Sequence, residues 1–142
     1  MNIEELTTEQ QFVDSYPVMH ELRTDLELEQ YLELLAEMLT KGDYRLFAVR
    51  EDGSIVALAG VGFGTNLYYR RYLWVYDLVT TEKSRSSGHG KALLDYLEEL
   101  ARNAGCNTLA LASGLQRGDA HRFYEGKVKM KRMSYTFVKG LR

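Results

Sequence analysis

The chain has 142 residues, 45% hydrophobic and 27% charged, with 18 Lys plus Arg against 20 Asp plus Glu for a net charge of −2. That length allows a single domain spanning 1–142, the composition excludes a disordered chain, and the absence of a basic excess gives no electrostatic footprint for nucleic acid. One cysteine, Cys106, excludes an internal disulfide framework, and no apolar run approaches the ~20 residues of a membrane span.

The expectation is therefore a soluble, cytoplasmic domain with no membrane partner. A short apolar-polar piece around Ile3 opens the chain. Thr8-Glu9-Gln10-Gln11 fits a capping box, followed by Phe12, Val13, Tyr16 and Met19 at roughly helical spacing. Thr24-Asp25-Leu26-Glu27 reads as a second capping box, ahead of an apolar stripe of Leu28, Tyr31, Leu32, Leu35, Met38 and Leu39 that Gly42 can close.

The periodicity then changes to that of strands. Tyr44 to Arg50 and Ile55 to Phe63 flank Asp52-Gly53, a hairpin signal. Tyr72 to Thr80 is apolar on both faces, as a central strand is. Leu93, Leu94, Leu97, Leu100, Ala101 and Ala104 make the best helical stripe in the chain, with Gly105 as its stop. Thr108 to Ala112 predicts another strand, and Ala120, Phe123 and Tyr124 share one face of a short helix. Lys127 to Lys139 alternates apolar and polar residues and predicts a last strand, with a bulge or turn near Lys131-Arg132. The sum is an α/β (α+β layered) domain, a mixed, mostly antiparallel sheet flanked by helices on both faces.

Between the central strand and the strong helix lies Arg85-Ser86-Ser87-Gly88-His89-Gly90-Lys91. Glycines allow a tight turn, and the first N–H groups of a helix are unpaired at the positive end of its dipole, so the loop suits a phosphate or pyrophosphate. A dinucleotide fingerprint fails because Leu93 stands where its third glycine belongs. A Walker A loop fails at Arg85 and at Ala92. Two glycines that merely start a helix are the alternative.

Arg85-x-x-Gly88-x-Gly90-x-x-Leu93, after Asp77-Leu78-Val79-Thr80, resembles the acetyl-CoA pyrophosphate loop of the GNAT N-acetyltransferase superfamily. Ala120-His121-Arg122-Phe123-Tyr124-Glu125 is similar to that family's closing helix, at the family's spacing. The chain departs from the family at Lys127-Val128-Lys129-Met130, where many members carry Gly-Phe, and at Ala120, where many carry Asn.

The resemblance implies a GNAT-like fold and transfer of an acetyl group from acetyl-CoA to an amine. It implies that the main chain of Leu78, Val79 and Thr80 binds the pantetheine arm, one N–H polarising the thioester carbonyl. It further implies that the backbone from Arg85 through Ser86, Ser87, Gly88, His89 and Gly90 to Lys91 holds the pyrophosphate. Arg85 either pairs with a phosphate or is an ordinary surface arginine. Tyr124 aligns with the family's general acid to the departing thiolate; packing in the core is the alternative.

Asp77 shares its alternation with Leu73, Val75 and Val79, and so is expected to emerge from an otherwise apolar face near the cofactor end. It is a candidate base for an amine, an anchor for a cationic substrate, or a structural residue. No metal is expected, because His20, His89 and His121 follow no ligand spacing. Cys106 reads as a buried thiol. Tyr16, Met19, His20, Leu22 and Arg23, with the Tyr68-Tyr69-Arg70-Arg71 cluster, are candidates to line the acceptor side.

The rival readings are a non-catalytic acyl-CoA-binding domain, and a nucleic-acid module built on Lys127, Lys129, Lys131 and Arg132, which the net charge disfavours. The acceptor's identity stays open, as does a homodimer.

Overall fold

Local signals start the elements and burial fixes them. The computed structural model describes residues 2–114 and 117–142. It divides into two compact units, Met1–Leu111 and Ala112–Arg142.

In the first unit, strand β1 (Ile3–Leu6) leads into helix α1 (Glu9–Leu22). The Thr8 hydroxyl accepts from the Gln11 N–H at 3.2 Å, and the Gln11 side chain accepts from the Thr8 N–H at 3.0 Å, which completes the capping box. Helix α2 (Leu28–Lys41) starts later than expected. Its N-cap is Glu27, whose N–H donates to Gln30, because a turn closed by Leu26 N–H to the Arg23 carbonyl takes up Thr24 and Asp25. Only Tyr31 and Leu35 of its stripe are fully buried; Met38 and Leu39 face solvent. Gly42 caps the helix with its N–H on the Met38 carbonyl.

Strands β2 (Arg45–Glu51) and β3 (Ser54–Asn66) join through Asp52 and Gly53, both at positive φ, the geometry of a two-residue hairpin turn. Strand β4 (Arg70–Thr80), helix α3 (His89–Asn103) and strand β5 (Thr108–Leu111) follow. Among the described residues the sheet order is β1-β2-β3-β4-β5, antiparallel throughout except for the parallel β4–β5 pair.

Helices α1 and α2 cover one face, where Phe12, Val18, Met19, Tyr31 and Leu35 pack on Leu46, Ala48, Leu58 and Val79. Helix α3 covers the other, burying Leu93, Leu94, Leu97 and Ala101, and the ring of Tyr96 meets Phe47 at 5.3 Å. Each fully buried leucine contributes about 1.5–3 kcal/mol of apolar transfer free energy, so three on one helix hold it far more firmly than its intrinsic propensity does.

The second unit holds helix α4 (Gly118–Arg122) and a π-turn (Phe123–Lys127). The expected last strand over Lys127 to Lys139 does not form. Its residues carry no ladder hydrogen bonds, Lys129 adopts φ 63°, and Met133, Tyr135, Phe137 and Val138 are exposed. Alternation sets which face a strand would bury, but a strand exists only where its backbone groups find a neighbour.

Candidate active site

The site grows from the end of β4. Along Arg70–Thr80 this strand is paired with β3, but its pairing with β5 runs only from Tyr72 to Val75. The main chain of Leu78, Val79 and Thr80 therefore has a strand neighbour on one side only within this unit.

A bulge precedes that stretch. Gly60 pairs with Asp77 and Val61 with Val75, so Tyr76 is an extra residue in β4. The bulge reverses the expected parity of Asp77. Leu73 and Val75 point to the α3 side, whereas Asp77 and Val79 lie on the α1–α2 side with Tyr72 and Trp74. Alternation counted through the bulge misplaces the carboxylate, because one inserted residue flips every later side chain.

There Asp77 is held from two elements. Arg23, just beyond α1, donates from Nε to Asp77 Oδ1 at 3.0 Å and from Nη2 to the Tyr76 carbonyl at 2.8 Å, and Nη2 stands 2.8 Å from Asp77 Oδ1 as an ion pair. The Tyr44 hydroxyl donates to Asp77 Oδ2 at 2.7 Å. Burial, and then the negative Asp77, push the Tyr44 phenol well above its ordinary pKa, so it stays a donor. Deeper in, burial raises Tyr31 to about 12, against the lowering effect of its hydrogen bond with Ser15.

The loop after β4 is tied to α1 by Glu21. Its carboxylate accepts from the Glu82 N–H at 2.9 Å and from the Thr81 hydroxyl, and lies 3.9 Å from Arg85 Nη2. Arg85 also donates from Nε to the Thr80 carbonyl at 3.2 Å while remaining more than half exposed.

Ser86 (φ 68°) and Gly88 (φ 84°) adopt left-handed backbone, and Gly88 is the N-cap of α3. The first helical bond runs from the Ala92 N–H to the Gly88 carbonyl, which leaves the N–H groups of His89, Gly90 and Lys91 without helical partners. No side chain caps this end and its first turn carries no acid. Uncapped donors at the positive pole of a fifteen-residue helix form a seat for an anion. Lys91 shares its charge with Asp95, one turn on, at 2.8 Å.

The His89 side chain is also employed. Its ring is buried, and Nε2 lies 2.5 Å from Glu51 Oε1 at the hairpin, although neither ring nitrogen has a well-aligned hydrogen bond among the described residues.

In the second unit, Tyr124 sits half-buried in the π-turn, its ring 5.5 Å from Phe123. Burial raises its phenol pKa, while the positive Arg117 pulls the other way. His121 Nε2 contacts the Gly114 carbonyl at 2.8 Å, and Glu125 accepts from Arg132 at 2.7 Å.

The sequence matches the acetyltransferase (GNAT) family over residues 5–128. The chain belongs to that family. It is 45% identical over 139 residues to the uncharacterized N-acetyltransferase YhdJ of Bacillus subtilis (strain 168), covering 98% of each chain. It is 27% identical over 123 residues to the aminoalkylphosphonate N-acetyltransferase of Salmonella typhimurium (strain LT2), covering 84% of this chain and 78% of that one. Its fold superimposes with a TM-score of 0.85 on aminoglycoside N-acetyltransferase AAC(6')-Iy solved in complex with CoA, at 12% identity over 99% of this chain and 95% of the other.

Within this GNAT chain the first unit brings together Asp77, the Leu78–Thr80 backbone and the Arg85–Lys91 loop. Of the residues expected to line the acceptor side, Arg23 reaches Asp77, whereas Met19 is core and Tyr16 donates to the Leu26 carbonyl at 2.7 Å. Cys106 is only partly buried, and that burial raises its thiol pKa. Glu21, Tyr44 and the bulge at Tyr76 escape sequence reasoning. One signal was available: Gly60, Gly62 and Gly64 alternate inside a strand, which marks close approach by other groups.

Proposed function

We propose that this GNAT-family protein transfers an acetyl group from acetyl-CoA to the primary amine of a small molecule. The observation that carries the reading is the N-terminus of α3, with three successive N–H groups lacking helical partners, no cap and no acid, directly after a strand end with one free edge. That pair of features suits a pyrophosphate followed by an extended amide-bearing arm. Support for a small acceptor comes from the relatives, one named for aminoalkylphosphonates and one neighbour named for aminoglycosides.

In this reading the loop from Arg85 through Lys91 binds the pyrophosphate, with Arg85 adding a mobile charge at its rim. The main chain of Leu78, Val79 and Thr80 aligns the arm, and one of its N–H groups stabilises the oxyanion that forms as the amine nitrogen attacks the thioester carbon. The ammonium first loses one proton to solvent water, the C–S bond breaks after attack, the thiolate leaves, and the second proton on the now acylated nitrogen also passes to water.

Tyr124 donates a hydrogen bond to the departing sulfur. A phenol titrates near ~10 and a thiol near ~8.5, and burial raises Tyr124 further, so its proton is shared late or incompletely. Asp77, engaged through both oxygens by Arg23 and Tyr44, serves better as a fixed negative charge that orients an incoming ammonium than as the group that removes its proton.

Calorimetric titration with acetyl-CoA and with CoA, followed by thiol release across an amine panel, tests the reading. Micromolar binding with amine-dependent thiol release is expected; absence of binding to either ligand would end it.

A further inference from the structure

A row of aromatic rings lies along the α1–α2 side of β4, built on glycines. Gly60, Gly62 and Gly64 of β3 share one face by the strand's period of two. A Cβ at Gly60 would stand 1.8 Å from the Tyr44 hydroxyl, one at Gly62 2.9 Å from the Tyr76 ring, and one at Gly64 2.4 Å from the Tyr72 ring. Each glycine leaves the space that a ring fills.

The rings fall into two neighbouring sets on that face, Tyr44 with Tyr76 and then Trp74, Tyr72 and Tyr69. Ring centroids are 6.0 Å apart for Tyr44 and Tyr76, 6.4 Å for Tyr72 and Trp74, and 6.0 Å for Tyr69 and Tyr72. Tyr44 is buried and anchors the inner end at Asp77, while Tyr76 is 54% exposed and Tyr72, Trp74 and Tyr69 are half-exposed. Apolar side chains scattered singly on a surface need no explanation, but four adjacent partly exposed aromatics beside a carboxylate form a recognition surface.

We infer that the row Tyr76-Trp74-Tyr72-Tyr69 is the acceptor-binding floor, selecting a primary ammonium with a flat or apolar body that stacks on the rings while its cation faces Asp77. The ring faces carry negative electrostatic potential that attracts an organic cation, and at that end the Asp77 carboxylate, already paired with Arg23, offers its remaining acceptor capacity to the ammonium. The row begins at Tyr76, two residues before Leu78, so a stacked amine lies along the strand assigned above to the acetyl donor. This inference rests on the acetyl-transfer reading and narrows its acceptor.

Trp74 is the chain's single tryptophan, so its emission reports on the row. Phenethylamine and its neutral counterpart 2-phenylethanol are titrated against wild type, Tyr76→Ala and Tyr76→Leu, the last guarding against a folding defect in the first. Expected are a saturable change with phenethylamine, at least about tenfold weaker binding of the alcohol, and a roughly fivefold loss of amine affinity in both variants.

No saturable change, equal affinity for amine and alcohol, or variants superimposable on wild type would each overturn the inference. So would a wild-type dimer that Tyr76→Ala dissociates in sedimentation, since a second copy then covers the row. Titrating the same samples with acetyl-CoA separates the two readings: acetyl-CoA binding without amine binding sinks only the floor, and amine binding without acetyl-CoA binding sinks only the transfer reaction.

Discussion

Tyr44 reaches Asp77 across the width of a glycine. The 2.7 Å hydrogen bond between them passes over Gly60, at a position where any β-carbon would occupy the hydroxyl's place. The carboxylate at the end of β4 is thus held by a residue 33 positions away whose own seat depends on a third.

Gly60→Ala should therefore destabilise the fold by about 1–3 kcal/mol through overpacking, or ~3–10 °C in Tm for a chain of this length. Thermal unfolding followed by circular dichroism measures it. Tyr44→Phe, which removes only the donor, should cost about 1–2 kcal/mol by leaving Asp77 Oδ2 one partner short. A Gly60→Ala protein as stable as wild type would mean that Tyr44 sits elsewhere.

Gly90→Glu should weaken acetyl-CoA binding sharply, by ~100-fold or more, because a carboxylate enters the first turn of α3 where the pyrophosphate is assigned. Gly88→Ala should act differently. Its β-carbon meets nothing within 4 Å, so the cost is the strain of φ 84°, about 1 kcal/mol in stability. Calorimetry on both variants distinguishes repulsion from strain.

Tyr124→Phe should lower kcat by ~10- to 100-fold and leave acetyl-CoA affinity within a few-fold. Because burial raises the Tyr124 pKa above the ordinary phenol value, the phenol keeps its proton throughout the neutral and mildly alkaline range. The wild-type kcat profile should then show no fall assignable to Tyr124 between about pH 7 and 9. A large loss of affinity with unchanged kcat would instead mark Tyr124 as a packing residue.

Backbone amides from Met133 to Leu141 should exchange with solvent in the dead time of a hydrogen-exchange experiment, while those of β3 persist for hours. The tail's apolar side chains are exposed, Phe137 to 93%, and its amides have no ladder partner among the described residues. Protection there would reveal a strand formed on a partner chain.

What the sequence disclosed followed how locally each feature is encoded. Helix α3 was legible because Leu93, Leu94 and Leu97 repeat at helical spacing up to Gly105, and the hairpin because Asp52-Gly53 fits only a few turn geometries. The family was legible from Arg85, Gly88, Gly90 and the run around Tyr124. The Asp77 environment was not, because its partners Arg23 and Tyr44 lie 54 and 33 positions away. The tail misled for the opposite reason: its alternation is local, but the partner that would make it a strand is not.

The extra residue in β4 divides that strand into halves of opposite phase. Before Tyr76, even-numbered residues face the α1–α2 layer; after it, odd-numbered ones do. Deleting this single residue would leave Asp77 opposite Gly60 on the α1–α2 side, whereas drawing Tyr76 into the ladder as an ordinary paired residue would swing Asp77 among the leucines of α3 and turn Leu78 toward Arg23. The side of the sheet on which Asp77 stands is thus written in a count rather than in a composition, and a graft of β4 onto a relative would carry that placement only if the count travels with it.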